Sequence, residues 1–234
     1  MSPRPVQPTL SVIVPARDEA ENLPVLVERI RLAVAGRWDY ELVVVDDGST
    51  DGTPVVAVAL GRAHPVVVIT RTGPPGKGLA VADGIAASGG RIVCMIDADL
   101  QYPPEAIPAM VAMVDTGWAD LVVANRTMRD GDPVRRLLSR VSYQVLQTMH
   151  GLGVDVQSGL KVVHRAVLDR VRLHPDGWAF DLELLVRARA AGFTIGTHDI
   201  VFARRMHGRT KVRLGGASWQ VLRNALWLRV SPPR

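Results

Sequence analysis

The sequence predicts an α/β protein with a mostly parallel sheet flanked by helices, and three observations carry that expectation. Apolar runs of strand length alternate with segments whose apolar residues recur at helical spacing. The run from Ile92 to Ile96 has apolar residues on both faces, as in a strand covered on both sides. Acidic and glycine-containing loops follow the apolar runs, at the C-terminal ends where open parallel sheets bind ligands.

Taken in order, Leu10 to Pro15 reads as a first strand; Leu23, Leu26, Ile30 and Val34 then recur at helical spacing, with Asn22 and Pro24 as start signals. Glu41 to Asp46 is a second strand, and Gly48, Ser49 and Thr50 lead from it into a helix from about Asp51. Pro65 to Thr70 supplies a third strand, followed by a Gly-Pro-rich loop, 73–78, and an Ala-rich helix. The strand leading to Asp97 comes next, then a helix beginning near Pro103 and a strand from Asp120 to Asn125. This alternation implies right-handed crossovers. Beyond it lie a polar loop from Arg126 to Pro133, an amphipathic helix from about Val134 to His150 and a strand from Gly159 to His164. A helix from Ala179 to Ala191, stopped by Gly192, precedes a last strand from Thr194 to Ala203.

Near the C-terminus Trp219, Leu222, Leu226 and Val230 fall at near-helical spacing, with Arg223 and Arg229 beside them. That pattern suits a membrane interface, and it equally suits packing on the domain or on another subunit. The expected organisation is an N-terminal tail, 1–9, one catalytic domain, 10–212, and a C-terminal amphipathic segment, 213–234.

With 234 residues, 47% of them hydrophobic, the chain can bury one large core. Cys94 is its only cysteine, which excludes an internal disulfide and fits a reducing compartment. No apolar stretch approaches the roughly 20 residues that a membrane span needs, and Met1 to Pro8 lacks the apolar centre of a signal peptide. The expected location is the cytoplasm. The net charge of +5 and pI near 10.0 fit nucleic acid, anionic lipid or phosphorylated substrates. Aromatic residues make up 5% and no basic stretch is interleaved with them, so nucleic acid is not the expected partner.

The most informative segment is the run from Ile92 to Gln101, which ends in Asp97, Asp99 and an amide. Alternation puts both carboxylates on one side while the strand lasts, and hard oxygen ligands suit Mg²⁺ or Mn²⁺ carrying a diphosphate. The plainer reading is that Asp97 ends the strand and Asp99 caps the next helix. Two other acidic loops, 15–22 and 45–51, should converge on the same edge. The first lacks G-x-G-x-x-G, which argues against a nicotinamide enzyme. Asp51 is read as a helix cap. The loop 73–78 lacks phosphate-loop spacing; Gly76 and Gly78 read as turn glycines, while Lys77 is either a solvated charge or a ligand. Arg126, Arg135, Arg136, Arg204, Arg205, Arg209 and Lys211 fall in polar loops or at element ends, and together could grip a second phosphate.

The loops 14–22, 44–53, 76–78 and 97–101 resemble those of family 2 glycosyltransferases of the GT-A fold. Within that family, the segments 155–161, 178–185 and 205–211 resemble the polyprenol-phosphate glycosyltransferases, including dolichol-phosphate mannose and glucose synthases. The resemblance runs in order from about Ser11 to Lys211.

It implies inverting transfer of a hexose from a nucleoside diphosphate sugar, of the GDP-mannose or UDP-glucose type, to a polyprenyl or dolichyl monophosphate. Pro15, Arg17, Glu19, Val45 and Asp47 would line the nucleotide pocket. Asp97, Ala98 and Asp99 would meet the donor diphosphate, and Asp97, Asp99 and Gln101 would hold Mg²⁺ or Mn²⁺. Asp99, Arg126, Arg205 and Lys211 would serve catalysis, the last three also contacting the donor, and Arg135 with Ser139 would receive the lipid phosphate. The enzyme would sit at the cytoplasmic face of the membrane, beside an integral membrane partner. Arg17 stands where many relatives have Tyr, and Arg209 replaces an acidic or small residue of the mannose synthases, while 178–185 looks closer to the glucose synthases. Gln220 to Arg223 is similar to the start of the Q-x-x-R-W of processive synthases, but Asn224 replaces its Trp. The alternatives are a nucleotide-sugar transferase with a non-lipid acceptor, which would need a carboxylate base, and a catalytically silent nucleotide- or lipid-binding regulator of a membrane partner.

Overall fold

In the computed structural model, which describes residues 8–127, 152–174 and 180–203, the first five strands are β1 (Leu10–Ala16), β2 (Tyr40–Asp46), β3 (Val66–Thr70), β4 (Ile92–Met95) and β5 (Leu121–Thr127). Between them run α1 (Leu23–Val34), α2 (Thr53–Ala63), α3 (Lys77–Ala87) and, after a 3₁₀ turn at Pro104–Ala106, α4 (Ile107–Asp115). The second half adds β6 (Lys161–His164), α5 (Arg165–Arg170), α6 (Phe180–Ala190) and β7 (Ile195–Val201). These strands form one sheet in the order β3-β2-β1-β4-β6-β5-β7.

Parallel pairing joins β1 to β2 and β4, β2 to β3, and β5 to β7. The exception is β6, antiparallel to both β4 and β5. The mostly parallel α/β expectation holds, with one reversed strand that the sequence does not reveal. A strand of four residues such as Lys161 to His164, with only Val162 and Val163 apolar, is too short for periodicity to carry information on its direction. The short helix α5 was also not expected.

Side-chain alternation along the central strands builds two cores. Leu10, Val12 and Val14 of β1 face one layer with Leu23, Leu26, Val27, Ile30 and Val34 of α1 and Ile107, Met110 and Val111 of α4. Ile13, Val43 and Val45 face the other, with Ala80 and Val81 of α3 and Leu182, Leu184 and Leu185 of α6. Both faces of β1 are thus covered, which fits a sequence apolar except at Ser11, whose buried hydroxyl donates to Glu41 Oε1 at 2.6 Å. Cys94 lies in β4 with no exposed surface, and burial pushes its thiol pKa up.

Helix starts differ from expectation in one case. Asn22 has helical φ and ψ of −84° and −33° and makes no capping bond; its amide instead donates to Glu19 Oε2 at 2.6 Å. Asp51, just before Gly52, accepts the Thr53 N–H of α2 at 2.9 Å and so takes up an otherwise open donor. The expected helix 134–150, the segment 213–234 and the boundary before it lie outside the described residues.

Close packing of α3 on β1 and β2 sets where the helix begins. A Cβ added at Gly84 would lie 2.5 Å from Ile13 Cγ2 and 3.1 Å from Val45 Cγ2. Gly84→Ala should therefore destabilise the protein by about 1–3 kcal/mol through overpacking, despite a gain of about 1 kcal/mol in helix propensity. Urea denaturation monitored by circular dichroism measures this, and a variant as stable as wild type would show that α3 shifts freely.

Candidate active site at the sheet edge

Because β1, β2 and β4 run in parallel, the loops after them meet at one edge, and hydrogen bonds staple the first two together. The Asp18 N–H donates to Ser49 Oγ at 2.9 Å, and Thr50 N–H returns a bond to Asp18 Oδ1 at 2.7 Å. Glu19 N–H donates to Thr53 Oγ1 at 2.8 Å. Asp18 sits at φ 51°, an uncommon conformation that Asp tolerates better than most side chains. Gly48, at φ 71°, is where the second loop needs glycine. Arg17 is exposed and Pro15 half-buried. The Val45 side chain lies wholly in the core, so of this residue only the backbone is left for the expected nucleotide pocket.

Asp47 is the joint between β2, β3 and α3. It is 6% exposed; one oxygen pairs with the Arg71 guanidinium and the other accepts the Gly76 N–H at 2.8 Å. Arg71 also donates to Asp83 Oδ2 at 2.7 Å. Gly76 has φ −174°, ordinary extended backbone, and Gly78 is buried in the first turn of α3. The turn-glycine reading of this loop is therefore corrected: Gly76 supplies an N–H to Asp47, not a left-handed turn. Lys77 is not a solvated charge either.

The Lys77 ammonium lies 2.7 Å from Asp97 Oδ1 and 3.8 Å from Asp181 Oδ2. Burial works to lower its pKa, but Asp97 and then Asp181 override that and raise it, so the ammonium stays charged. Asp97 lies beyond the end of β4 at Met95, so strand alternation does not set the relation between Asp97 and Asp99. The side chain of Asp97 is 27% exposed, whereas Asp99 is 6% exposed. Asp99 accepts the Gln101 N–H at 3.1 Å, and Gln101 Nε2 donates to the Ala203 carbonyl at 3.2 Å. Leu100, buried between them, sits at φ 61°, a strained conformation at the turn that carries the acidic pair. Gly159 presses on Asp97 from β6's side: a Cβ there would lie 2.0 Å from Asp97 Oδ2, so only glycine leaves the carboxylate its place.

Two further ion pairs close the site. Arg126, from β5, forks onto Asp155 with bonds of 2.5 and 3.0 Å, while its Cζ lies 5.2 Å from the centre of the Phe202 ring. Tyr102 meets the same ring edge-on, and burial pushes its phenol pKa up to about 12. Lys161 is 1% exposed in β6; its ammonium donates to the Ser158 carbonyl and lies 2.6 Å from Asp181 Oδ1. Burial lowers the Lys161 pKa, with Asp181 opposing it. Burial would raise the Asp181 carboxyl, but Lys161 and then Lys77 outweigh it, so its pKa falls below the usual range.

Asp97 and Asp99 offer the hard oxygens that Mg²⁺ and Mn²⁺ prefer, and Asp97 already holds a cation in the form of the Lys77 ammonium. Among the described residues no group of three or more His, Cys, Asp or Glu forms a ligand set. A metal here would be completed by substrate oxygens, the usual manner of Mg²⁺ with one or two carboxylates and phosphates. The donor set fits such an ion.

The structure brings together Asp47, Asp97, Asp99, Gln101 and Arg126 around one edge. Arg135, Arg136, Ser139, Trp178, Arg204, Arg205, Arg209 and Lys211 lie outside the described residues. Sequence reasoning missed Arg71, Asp155, Lys161 and Asp181 as site residues. Arg71 was within reach, since it follows β3 at the edge shared by all the parallel strands.

Residues 11–171 match the family described as Glycosyl transferase family 2. A dolichol-phosphate mannosyltransferase of Pyrococcus furiosus is 32% identical over 223 residues, covering 92% of this chain and 62% of that protein. A polyprenol monophosphomannose synthase of Mycolicibacterium smegmatis is 34% identical over 223 residues, covering 89% and 82%. The chain thus spans 62% of the length of the first relative. Glucosyl-3-phosphoglycerate synthase from Mycobacterium tuberculosis, in complex with Mn²⁺ and UDP-glucose, superposes with a TM-score of 0.76 at 29% identity, covering 97% of this chain and 80% of that one.

The Arg71–Asp47 pair gives a direct test of how the edge is held. Arg71→Met leaves the Asp47 carboxylate buried without its cation and should cost about 3 kcal/mol of stability. Adding Asp47→Asn should restore part of that loss. A double-mutant cycle by urea denaturation measures the coupling, and strictly additive effects would show that the pair is incidental.

Proposed function

The chain belongs to glycosyl transferase family 2, and from that premise we propose that it transfers a hexose from a nucleoside diphosphate sugar to a polyprenyl monophosphate, with inversion at the anomeric carbon. The observation that carries this reading is that four carboxylates at the sheet edge are each held by a cation. Asp47 is engaged by Arg71, Asp97 by Lys77, Asp155 by Arg126 and Asp181 by Lys161. A carboxylate held against a cation is poorly placed to accept a proton, and at Asp181 the two lysines also lower the pKa. An acceptor phosphate needs no such base: its second pKa lies near 6, so at neutral pH it arrives as a dianion and attacks directly. The similarity to two polyprenol-phosphate mannose transferases supports the same acceptor class.

In this reading Pro15, Arg17, Glu19, Asp47 and the Val45 backbone border the nucleotide. Asp97 and Asp99, with Gln101, hold a divalent cation, which when bound neutralises charge on the departing diphosphate. The similar glucosyl-3-phosphoglycerate synthase crystallised in complex with Mn²⁺ and UDP-glucose supports a divalent ion as cofactor. Arg126, fixed by Asp155 and Phe202, presents its guanidinium beside the same edge; Arg205 and Lys211 are assigned to the donor and Arg135 with Ser139 to the acceptor phosphate. Orienting two anions in line, against their repulsion, is the work of these cations. No helix among the described residues is long and apolar enough to cross a membrane, so access to a lipid substrate is assigned to peripheral docking through 213–234 at the cytoplasmic face, beside an integral membrane partner.

A second reading has support of its own: the similar solved structures include glucosyl-3-phosphoglycerate synthase complexes containing phosphoglyceric acid, so a small soluble phosphorylated acceptor is the competing class. A panel of radiolabelled GDP- and UDP-sugars, each offered with a short polyprenyl phosphate or with phosphoglycerate, separates the two. Butanol-extractable label supports the lipid acceptor, and label confined to the aqueous phase overturns it. Asp99→Asn should lower turnover about 10²–10³-fold with an unchanged circular dichroism spectrum; wild-type turnover would count against the acidic pair. Arg135→Ala should raise KM for polyprenyl phosphate about tenfold or more, the loss of a charge-assisted hydrogen bond, with KM for the sugar donor little changed. Equal effects on both substrates would remove its acceptor role.

A further inference from the structure

Four charged side chains of alternating sign run from the buried strand β6 to the acidic loop: Lys161, Asp181, Lys77 and Asp97. Lys161 is 1% exposed and holds Asp181 Oδ1 at 2.6 Å. The other oxygen, Oδ2, is turned toward Lys77 at 3.8 Å, just outside hydrogen-bonding distance. Lys77 itself is 45% exposed at its side chain, carries four rotatable carbons, and rests on Asp97 at 2.7 Å. Gly159 meanwhile fixes the far side of the Asp97 carboxylate, where a Cβ would lie 2.0 Å from Oδ2.

An ammonium and a divalent cation cannot share Asp97 Oδ1, because like charges a few ångströms apart repel strongly in a partly buried site. The carboxylate cannot retreat, since Gly159 backs it. The mobile partner is the lysine, and a second carboxylate stands within about a bond length of its present reach. We propose that Asp181, fixed by Lys161, is the positioning residue that receives the Lys77 ammonium when Asp97 is given over to a divalent cation. Lys77 is then a resident counter-charge in the metal-free enzyme and is parked on Asp181 in the loaded one. The pair Lys161–Asp181 has this role because its geometry is already set: the buried Lys161 ammonium holds one Asp181 oxygen and leaves the other turned toward Lys77. This inference rests on the reading of Asp97 as part of the metal–diphosphate site.

The test is binding of Mn²⁺ alone to the full chain, followed by loss of the free-ion electron paramagnetic resonance signal, with no nucleotide present. Lys77→Met should tighten Mn²⁺ binding about tenfold, since it removes the competing charge. Asp181→Asn should weaken it by a similar factor of about ten, because Lys77 then has only Asp97 to pair with. In the Lys77→Met background the same Asp181→Asn change should move the affinity by no more than about threefold, the remaining long-range attraction. Lys161→Met, provided its circular dichroism spectrum and thermal melt match wild type, should behave like Asp181→Asn. Equal effects of Asp181→Asn in both backgrounds, or no tightening by Lys77→Met, would overturn the proposal. Asp97→Asn separates the two levels of argument: Mn²⁺ binding that survives it would sink the assignment of Asp97 to the metal site, whereas binding that depends on Asp97 without the Lys77–Asp181 coupling would sink this inference alone.

Discussion

Parallel strands that end together bring the loops after them together, and in this chain those loops carry Asp18, Asp47, Asp97 and Asp99 within one edge of the sheet. That concentration of negative charge is the constraint on which the rest of the site depends. Left uncompensated, carboxylates as enclosed as Asp47 and Asp99 would be costly to hold ionised. The chain answers with basic residues: Arg71 after β3 pairs with Asp47 and Lys77 at the start of α3 with Asp97, while Arg126 at the end of β5 and Lys161 within β6 pair with Asp155 and Asp181 beside them. Backbone donors contribute as well, Gly76 to Asp47 and Gln101 to Asp99.

The compensation is uneven, and the unevenness is informative. Arg71 and Asp47 are both closely enclosed, with side chains 8% and 9% exposed, so their pair is a fixed structural joint. Lys77 and Asp97 are more open, at 45% and 27%, so their pair can be exchanged for a ligand at smaller cost. The edge thus combines one pair that is fixed with one whose contact can be replaced.

Most of the fold was legible because it rests on apolar periodicity. Leu23, Leu26, Ile30 and Val34 give α1 at 3.6-residue spacing, and the two-faced apolar runs give β1, β2 and β4. The reversed direction of β6 was not legible, since a four-residue strand carries no sign of its direction. At the site, residue types and topology placed Asp97, Asp99 and Asp47 at the edge in advance. Their partners were hidden for a different reason. Lys161 sits in a strand and Asp181 in a helix start, and only the fold brings Asp181 between Lys161 and Lys77, the first residue of α3, which lies 84 residues before Lys161 and 104 before Asp181. Side-chain electrostatics over such separations leave no periodic trace in a single sequence.

Glycine marks the same boundary between legible and hidden. Gly48 lies in the Gly-Ser-Thr link that the sequence marks between β2 and α2, and there it has the left-handed φ that favours glycine. Gly84 and Gly159 have no comparable local signature, because what requires them is the approach of another element: β1 and β2 against α3 in one case, the Asp97 carboxylate in the other. In both places the missing side chain sets the position of a site residue. Gly84 lets α3 settle so that its first residue, Lys77, reaches the acidic loop, and Gly159 lets Asp97 occupy the one place where that lysine can meet it. The absence of two Cβ atoms is therefore as much a part of the charge arrangement as the charges themselves.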